Sequence, residues 1–373
     1  MRVAPSSPGL RDPDRMKRIA SAGLLLGALL AQPVLAGPAV AARPPGPPPR
    51  VAFDLQAHRG GIGERTESSI SSFDNALHTG VSTLELDTQI TKDAKVVVTH
   101  DRQTNPDVCR DTAPATPGDP QFPYVGKYVK DLTLAQLKTL DCGFQQRPGY
   151  PEQVNTPGSR MIELSDVFDL VKSHRANKVR LNVETKVEAG APEQTAPREQ
   201  FVRLVQREIA RSGLSRQVTV QSFDWGALRV MNRLDPSLPL VALTNRDFLQ
   251  VGQPGASPWL GGLDADDFGG DFVAAADAIP GVTTLSPVDG FPQGCSVSDP
   301  ACEPYVTRDM VQRAHDRRLK VVPWTVDDPA TFRYLLSTGV DGIITNYPTR
   351  ARAILAEEGY KLPKPVKQPK QVE

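Results

Sequence analysis

Eight short apolar segments able to form strands recur along this chain, separated mostly by amphipathic helical stretches, and that alternation constrains the fold more than any other feature. The strand candidates cover residues 52–57, 83–88, 179–184, 218–222, 238–243, 282–285, 320–325 and 342–345. Helical patterns cover 68–78, 165–174, 198–211, 225–234, 307–317 and 330–337. A helix between two strands returns the chain to the same end of the sheet, so the strands run parallel. Eight such units predict one (β/α)8 barrel over residues 51–358 rather than two separate domains. The rhythm breaks at 102–160, where Pro, Gly and Asp are frequent and only 134–140 reads as a short helix. This stretch is predicted to be a small insertion after the second strand, lying over the barrel mouth where binding loops belong. Residues 96–99 are expected to pair near the second strand.

The ends of the chain read differently. Lys17 and Arg18 precede a short apolar core at 20–30, and Val34-Leu35-Ala36 offers small residues for cleavage before Gly37. Residues 1–36 therefore read as a cleaved export signal. A second cleavage site lies at Ala39-Val40-Ala41. Residues 37–50 form a Pro-rich linker, and 359–373 a solvated, basic, Pro-rich tail. Export to a periplasmic or extracellular compartment is expected, with no stable membrane span after signal removal. All four cysteines lie in the exported part, which predicts two disulfides with three possible pairings. Cys109–Cys142 and Cys295–Cys302 are favoured, since each pair brackets one irregular segment. The 43 basic and 43 acidic residues balance, with no basic stripe carrying interleaved aromatics, which argues against a nucleic-acid partner.

Most of the ionisable chemistry is gathered between His58 and Asp101. Three of the five histidines fall here, and two of them, His58 and His100, each stand just after an apolar run. Glu85 and Asp87 stand at i and i+2 of one strand and share a face. His58 ends the first predicted strand, Glu85 and Asp87 the second, and Glu184 and Lys186 the third. Ser222 ends the fourth, Trp324 the seventh, and Asn346 follows the eighth. In a (β/α)8 barrel these strand ends converge on the face where active sites are built. Taken singly, each carboxylate reads better as a solvated strand-end charge and each histidine as a hydrogen-bonded core residue. Their common address favours a site holding a hard divalent cation and a phosphoryl group. His78, His174 and His315 lie in helical patterns and read as structural.

The ordered series HRG, TESS, LELD, VVTHD, DLTLAQLKTLDCG, LNVETK, VQSFDW, VPWTVDD and GVDGIITNYP, running from His58 to Pro348, resembles the glycerophosphodiester phosphodiesterases. The resemblance implies a barrel, a divalent metal, and hydrolysis of a small-molecule glycerophosphodiester to sn-glycerol 3-phosphate and an alcohol. It places metal carboxylates on Glu85, Asp87 and Glu184, and the catalytic acid and base on His58 and His100. Arg59 falls on the phosphate-binding arginine, Lys186 on the lysine of the family's E-x-K element, and Glu67 near the metal. An all-oxygen ligand set fits Ca²⁺ or Mg²⁺. Ser222 is expected to donate to the phosphate, or otherwise to form a turn, and Trp324 to wall the substrate pocket. Two departures stand out: Thr66-Glu67-Ser68 replaces the family's Pro-Glu-Asn, and Asn346 replaces the aspartate of its final motif. The alternative chemistry is that of a lysophospholipase D or sphingomyelinase D-like enzyme, which needs an apolar channel for an acyl chain.

Overall fold

A computed structural model describes residues 52–367. The predicted signal and linker lie outside the described residues. Eight parallel strands make the frame: β1 (Asp54–Ala57), β2 (Thr83–Ile90), β3 (Arg180–Thr185), β4 (Val218–Ser222), β5 (Leu240–Thr244), β6 (Val282–Pro287), β7 (Lys320–Val321) and β8 (Gly342–Thr345). They pair in the order β7-β6-β5-β4-β3-β2-β1-β8. The ring closes through bonds from Asp341 N to Val321 O, Ile344 N to Pro323 O and Val326 N to Ile344 O. The seventh strand is shorter than the predicted 320–325. Pro323 has no N–H to donate, so the segment continues only through scattered bonds to its neighbours.

The outer ring comprises α1 (Ile70–Thr79), α2 (Leu164–Ser173), α3 (Arg198–Ser212), α4 (Trp225–Leu234), α5 (Phe272–Asp277), α6 (Arg308–Asp316), α7 (Pro329–Thr338) and α8 (Pro348–Glu357). The core lies between ring and barrel. Leu84, Leu86, Leu181, Val183 and Val220 project outward from the strands to meet Phe73, Leu77, Phe168, Phe201 and Trp225. The alternate positions turn inward. In the lumen Asn182 donates to Gln56 (2.9 Å) and Gln221 (2.7 Å), and Gln221 in turn to Glu85 (2.7 Å). Two apolar faces would have buried these amides without partners. The polar period along β2 to β4 avoids that cost.

Between β2 and α2 the chain leaves the barrel. Val96–Val98 pairs antiparallel with β2, and Ile162–Glu163 pairs with Val96–Val98. The segment between them has its own small core of Tyr124, Val129, Leu132, Leu137, Leu140 and Met161, pinned by Cys109–Cys142. The second disulfide is Cys295–Cys302, so both bridges follow the favoured pairing. The tail is a correction. Tyr360, Leu362 and Val366 are partly buried against the barrel core, and Val366 N donates to Leu77 O (2.9 Å), so residues 360–366 are anchored while Lys361, Lys364 and Lys367 stay exposed; residues 368–373 lie outside the described residues. The apolar residues of the anchored stretch, spaced between the lysines, supply the face that docks.

Candidate active site

Strand register assembles the site. Asp87 pairs directly with Glu184 across β2 and β3, and Glu184 with Gln221 across β3 and β4. Glu85 lies two residues before Asp87 on the same face. Glu85, Asp87 and Glu184 are all buried, and their ligand oxygens lie within 4.8 Å of one another. Both oxygens of Asp87 are buried without a hydrogen-bond donor among the described residues. Three acceptors gathered this closely, one left unsatisfied, fit a hard divalent cation.

The turn after β1 brings in the next groups. His58–Gly60 forms a short 3-10 turn in which Arg59 is left-handed, with φ 52°. This conformation aims the Arg59 N–H at Glu85 Oε2 (2.8 Å). Gly60 follows at φ 80°, and a Cβ there would lie 2.5 Å from Ser72 Oγ, so only glycine lets α1 approach the turn. The Arg59 guanidinium sits between Glu67 Oε2 (2.7 Å) and Asp87 Oδ2 (3.4 Å). Ser68 also adopts a left-handed conformation (φ 53°), which asparagine takes more readily. Ser68 thus holds the left-handed position at the end of the Thr66-Glu67-Ser68 departure.

Each catalytic-candidate histidine has Nδ1 tied back. His100 Nδ1 bonds Asp101 Oδ1 (2.7 Å), and Asn105 holds the other oxygen of that carboxylate (2.7 Å). His58 Nδ1 bonds Asn346 Oδ1 (2.5 Å). The Asn346 amide is oriented by Asp327, whose carboxylate accepts from Asn346 Nδ2 (2.6 Å) and from its backbone N–H (2.8 Å). With the NH₂ group turned to Asp327, the amide oxygen faces His58. The His58 proton is thus placed on Nδ1, leaving Nε2 as the free nitrogen. The departure at Asn346 therefore bears directly on His58.

Electrostatics sharpen the picture. Burial and the Arg59 charge pull His58 down to about 3, and burial with Arg59 and Lys186 pulls His100 down to about 4. Both leave the near-neutral range of an ordinary histidine. Burial, reinforced by the Asp87 charge, raises Glu85 well above the carboxylate range. Burial lifts Glu184 to about 8, Asp87 adding to the effect and Lys186 opposing it. Burial would also raise Asp87, but the Lys186 and Arg59 charges outweigh it and hold the group ionised. Lys186, 3.3 Å from Glu184 and 3.7 Å from Asp87, is kept charged by those neighbours despite its burial.

These groups line a cavity of ≈ 300 Å³ together with Gln221, Phe223, Phe248 and Trp324. It adjoins a ≈ 550 Å³ cleft that shares His100, Lys186, Phe223 and Phe248 and adds Arg102, Glu188 and Trp259. An aromatic series runs between the two, with Trp324 edge-on to Phe223, Phe223 edge-on to Phe248, and Phe248 stacked on Trp259 at 4.4 Å. Trp324 lines the first of these cavities.

Two expectations need correction. Glu67 is not among the clustered carboxylates; one oxygen is taken by Arg59 and the other by Arg147 of the insertion, so it orients an arginine. Ser222 is fully buried, donates to Thr185 O (2.8 Å) and turns away from the cavity. Gln221, one residue earlier, is the inward group on β4. Strand alternation in phase with Asn182 and Glu184 would have found it. Arg147 and Asp327 carry no such periodic signal.

The family model for glycerophosphoryl diester phosphodiesterases matches residues 58–350. A glycerophosphodiester phosphodiesterase of Bacillus subtilis is 27% identical over 296 residues, 78% of this chain and 83% of the relative. The crystal structure of a candidate glycerophosphoryl diester phosphodiesterase from Silicibacter pomeroyi superposes with a TM-score of 0.67 at 26% identity, covering 83% of this chain and 95% of that one. A phosphodiesterase of Oleispira antarctica, solved with the product sn-glycerol-3-phosphate, shares the fold at a TM-score of 0.55 and 17% identity, over 81% and 96% of the two chains. Barrel, strand-end site and matched span agree, and the chain belongs to the glycerophosphoryl diester phosphodiesterase family.

Proposed function

We propose that this chain is an exported, cation-dependent enzyme that hydrolyses glycerophosphodiesters to sn-glycerol 3-phosphate and an alcohol. The observation that carries the reading is the buried Glu85, Asp87 and Glu184 cluster beside two histidines whose Nδ1 atoms are already committed. Ca²⁺ or Mg²⁺ on those carboxylates would supply charge neutralisation at the phosphoryl oxygens. Arg59, held by Glu67, grips the phosphate, and Lys186 adds a point charge beside it. His58 takes the proton of the attacking oxygen on its free Nε2. His100, backed by the Asp101 carboxylate, protonates the departing alkoxide. Arrival of an anionic phosphate offsets the Arg59 and Lys186 charges that hold His100 low, so substrate itself favours the protonated ring.

The adjoining cleft receives the alcohol. Its aromatic wall faces polar groups, among them the Arg102–Glu188 ion pair, and that mixture suits a small polar alcohol better than an acyl chain. No described helix is long and apolar enough to cross a membrane. Two disulfides and the N-terminal segment support export. The test is a panel of deacylated glycerophosphodiesters and lysophospholipids, assayed with chelator and with Ca²⁺ or Mg²⁺ restored. Release of sn-glycerol 3-phosphate from the deacylated compounds alone is expected. Preference for the lysolipids would move the reading to a lysophospholipase D, and turnover in full after chelation would overturn the metal assignment.

A further inference from the structure

Outside the barrel, α1 and α2 bring together three ligand-type side chains that the active site does not use. Asp74 and His78 stand four residues apart on α1 and share one face of it. His174 caps the C-terminus of α2, which packs against α1. The ligand atoms of all three lie within 4.8 Å of one another.

The hydrogen bonding is not that of a closed ion-pair cluster. His174 Nδ1 lies 3.1 Å from Leu170 O, a carbonyl that only accepts, so Nδ1 carries the proton. Its Nε2 then faces Asp74 Oδ1 at 2.9 Å, although the His174 side chain is only 7% exposed. In a neutral ring this sets a nitrogen lone pair against a carboxylate oxygen. A cation held between the two atoms removes that clash. His78 approaches the other oxygen of Asp74 through Nδ1 (3.2 Å), while its Nε2 is buried without a hydrogen-bond partner. A metal-ligating histidine commonly gives one N–H to a backbone carbonyl and leaves its other nitrogen free for the ion, and His174 has that arrangement with a carboxylate close by.

We infer that Asp74, His78 and His174 form a second metal site, for a late first-row divalent ion such as Zn²⁺, that clamps α1 to α2. Two imidazole nitrogens and one carboxylate oxygen suit Zn²⁺ far better than the hard cations expected at the barrel mouth. Ligands of a tetrahedral zinc ion sit about 3.3 Å apart, given bonds of about 2.0–2.1 Å, so modest side-chain rotation closes the set. Water completes the coordination on the solvent side, where Asp74 and His78 are each about one-third exposed. The two helices flank β2 and the insertion, so the ion would tie together the elements on which Glu85, Asp87 and His100 depend without touching substrate.

The experiment titrates the purified full chain with Zn²⁺ in the presence of saturating Mg²⁺, reading bound zinc by equilibrium dialysis and Tm by calorimetry. The wild type and a mouth variant, Glu184→Ala, are both expected to hold one zinc that raises Tm. His174→Ala should lose that zinc and its Tm response while keeping wild-type kcat with Mg²⁺. If His174→Ala folds poorly, His174→Gln and Asp74→Asn preserve the packing and should show the same loss. X-ray absorption of the zinc-loaded Glu184→Ala protein should show imidazole scattering. Equal zinc uptake by wild type and all three outer-wall variants would overturn the assignment, as would a wild type that takes up none.

Discussion

The barrel mouth and the outer wall each gather three ligand-type side chains within 4.8 Å, yet they are chemically opposite. At the mouth the three carboxylates are buried, and that burial, reinforced by the neighbouring Asp87 charge, raises Glu85 and Glu184. On the wall the set is mixed: Asp74 and His78 are each about one-third exposed, so solvent shares the charge, while the His174 side chain is buried. The mouth therefore depends strongly on a cation, because an uncompensated buried carboxylate is costly. The wall can do without one and gains only a clamp. What separates the two is burial and donor type rather than the number of ligands.

The most severe way to break the comparison is to remove the mouth ligands. Glu184→Ala or Asp87→Asn should reduce turnover to background with the fold intact by circular dichroism, whereas no wall substitution should reach that level. Next come the proton-transfer groups. His58→Ala or His100→Ala should each cost roughly 10²–10⁴-fold in kcat, with a much smaller change in KM. Wild-type turnover in both variants, measured on folded protein, would favour a phosphodiester-binding protein. Asp327→Ala frees the Asn346 amide to turn and should cost about 10–100-fold, the range for losing a partner that fixes an imidazole tautomer. Asn346→Asp should instead raise the His58 pKa and move the acidic limb of the rate profile upward.

Smaller effects sharpen the contrast. Glu184 sits at about 8 in the cation-free protein, so below that pH a proton competes with the metal. Apparent Mg²⁺ or Ca²⁺ affinity should rise with pH up to about 8 and then level; a flat profile from pH 6 to 9 would argue that Glu184 is not a ligand. The disulfides offer a test of stability alone. Cys109–Cys142 closes a 33-residue separation and Cys295–Cys302 only 7. Paired Cys→Ser replacements should cost about 4 and about 2 kcal/mol respectively, read from denaturant midpoints.

Much of the mouth was legible because its information is local. Period-two alternation in LELD and LNVETK sets the carboxylates on one face, and strand ends in a barrel share one rim. The same rule, applied one residue out of phase on β4, selected Ser222 where Gln221 belongs. Glu67 was misplaced for another reason: Arg147, which takes its second oxygen, lies 80 residues away in an irregular loop with no periodic signal.

By itself, the sequence determined the barrel, the insertion, the favoured cysteine pairs and the identity of the chemical groups at the rim, since each follows from periodicity or from residue type. Only the tertiary structure decided which groups are tied and which are free. The His58 tautomer depends on Asn346 and Asp327, nearly 300 residues away in the chain, and the His78–His174 pair on how two helices pack across a 96-residue gap. Such contacts are set by packing distance, and packing distance is not written in the spacing of residues along one segment.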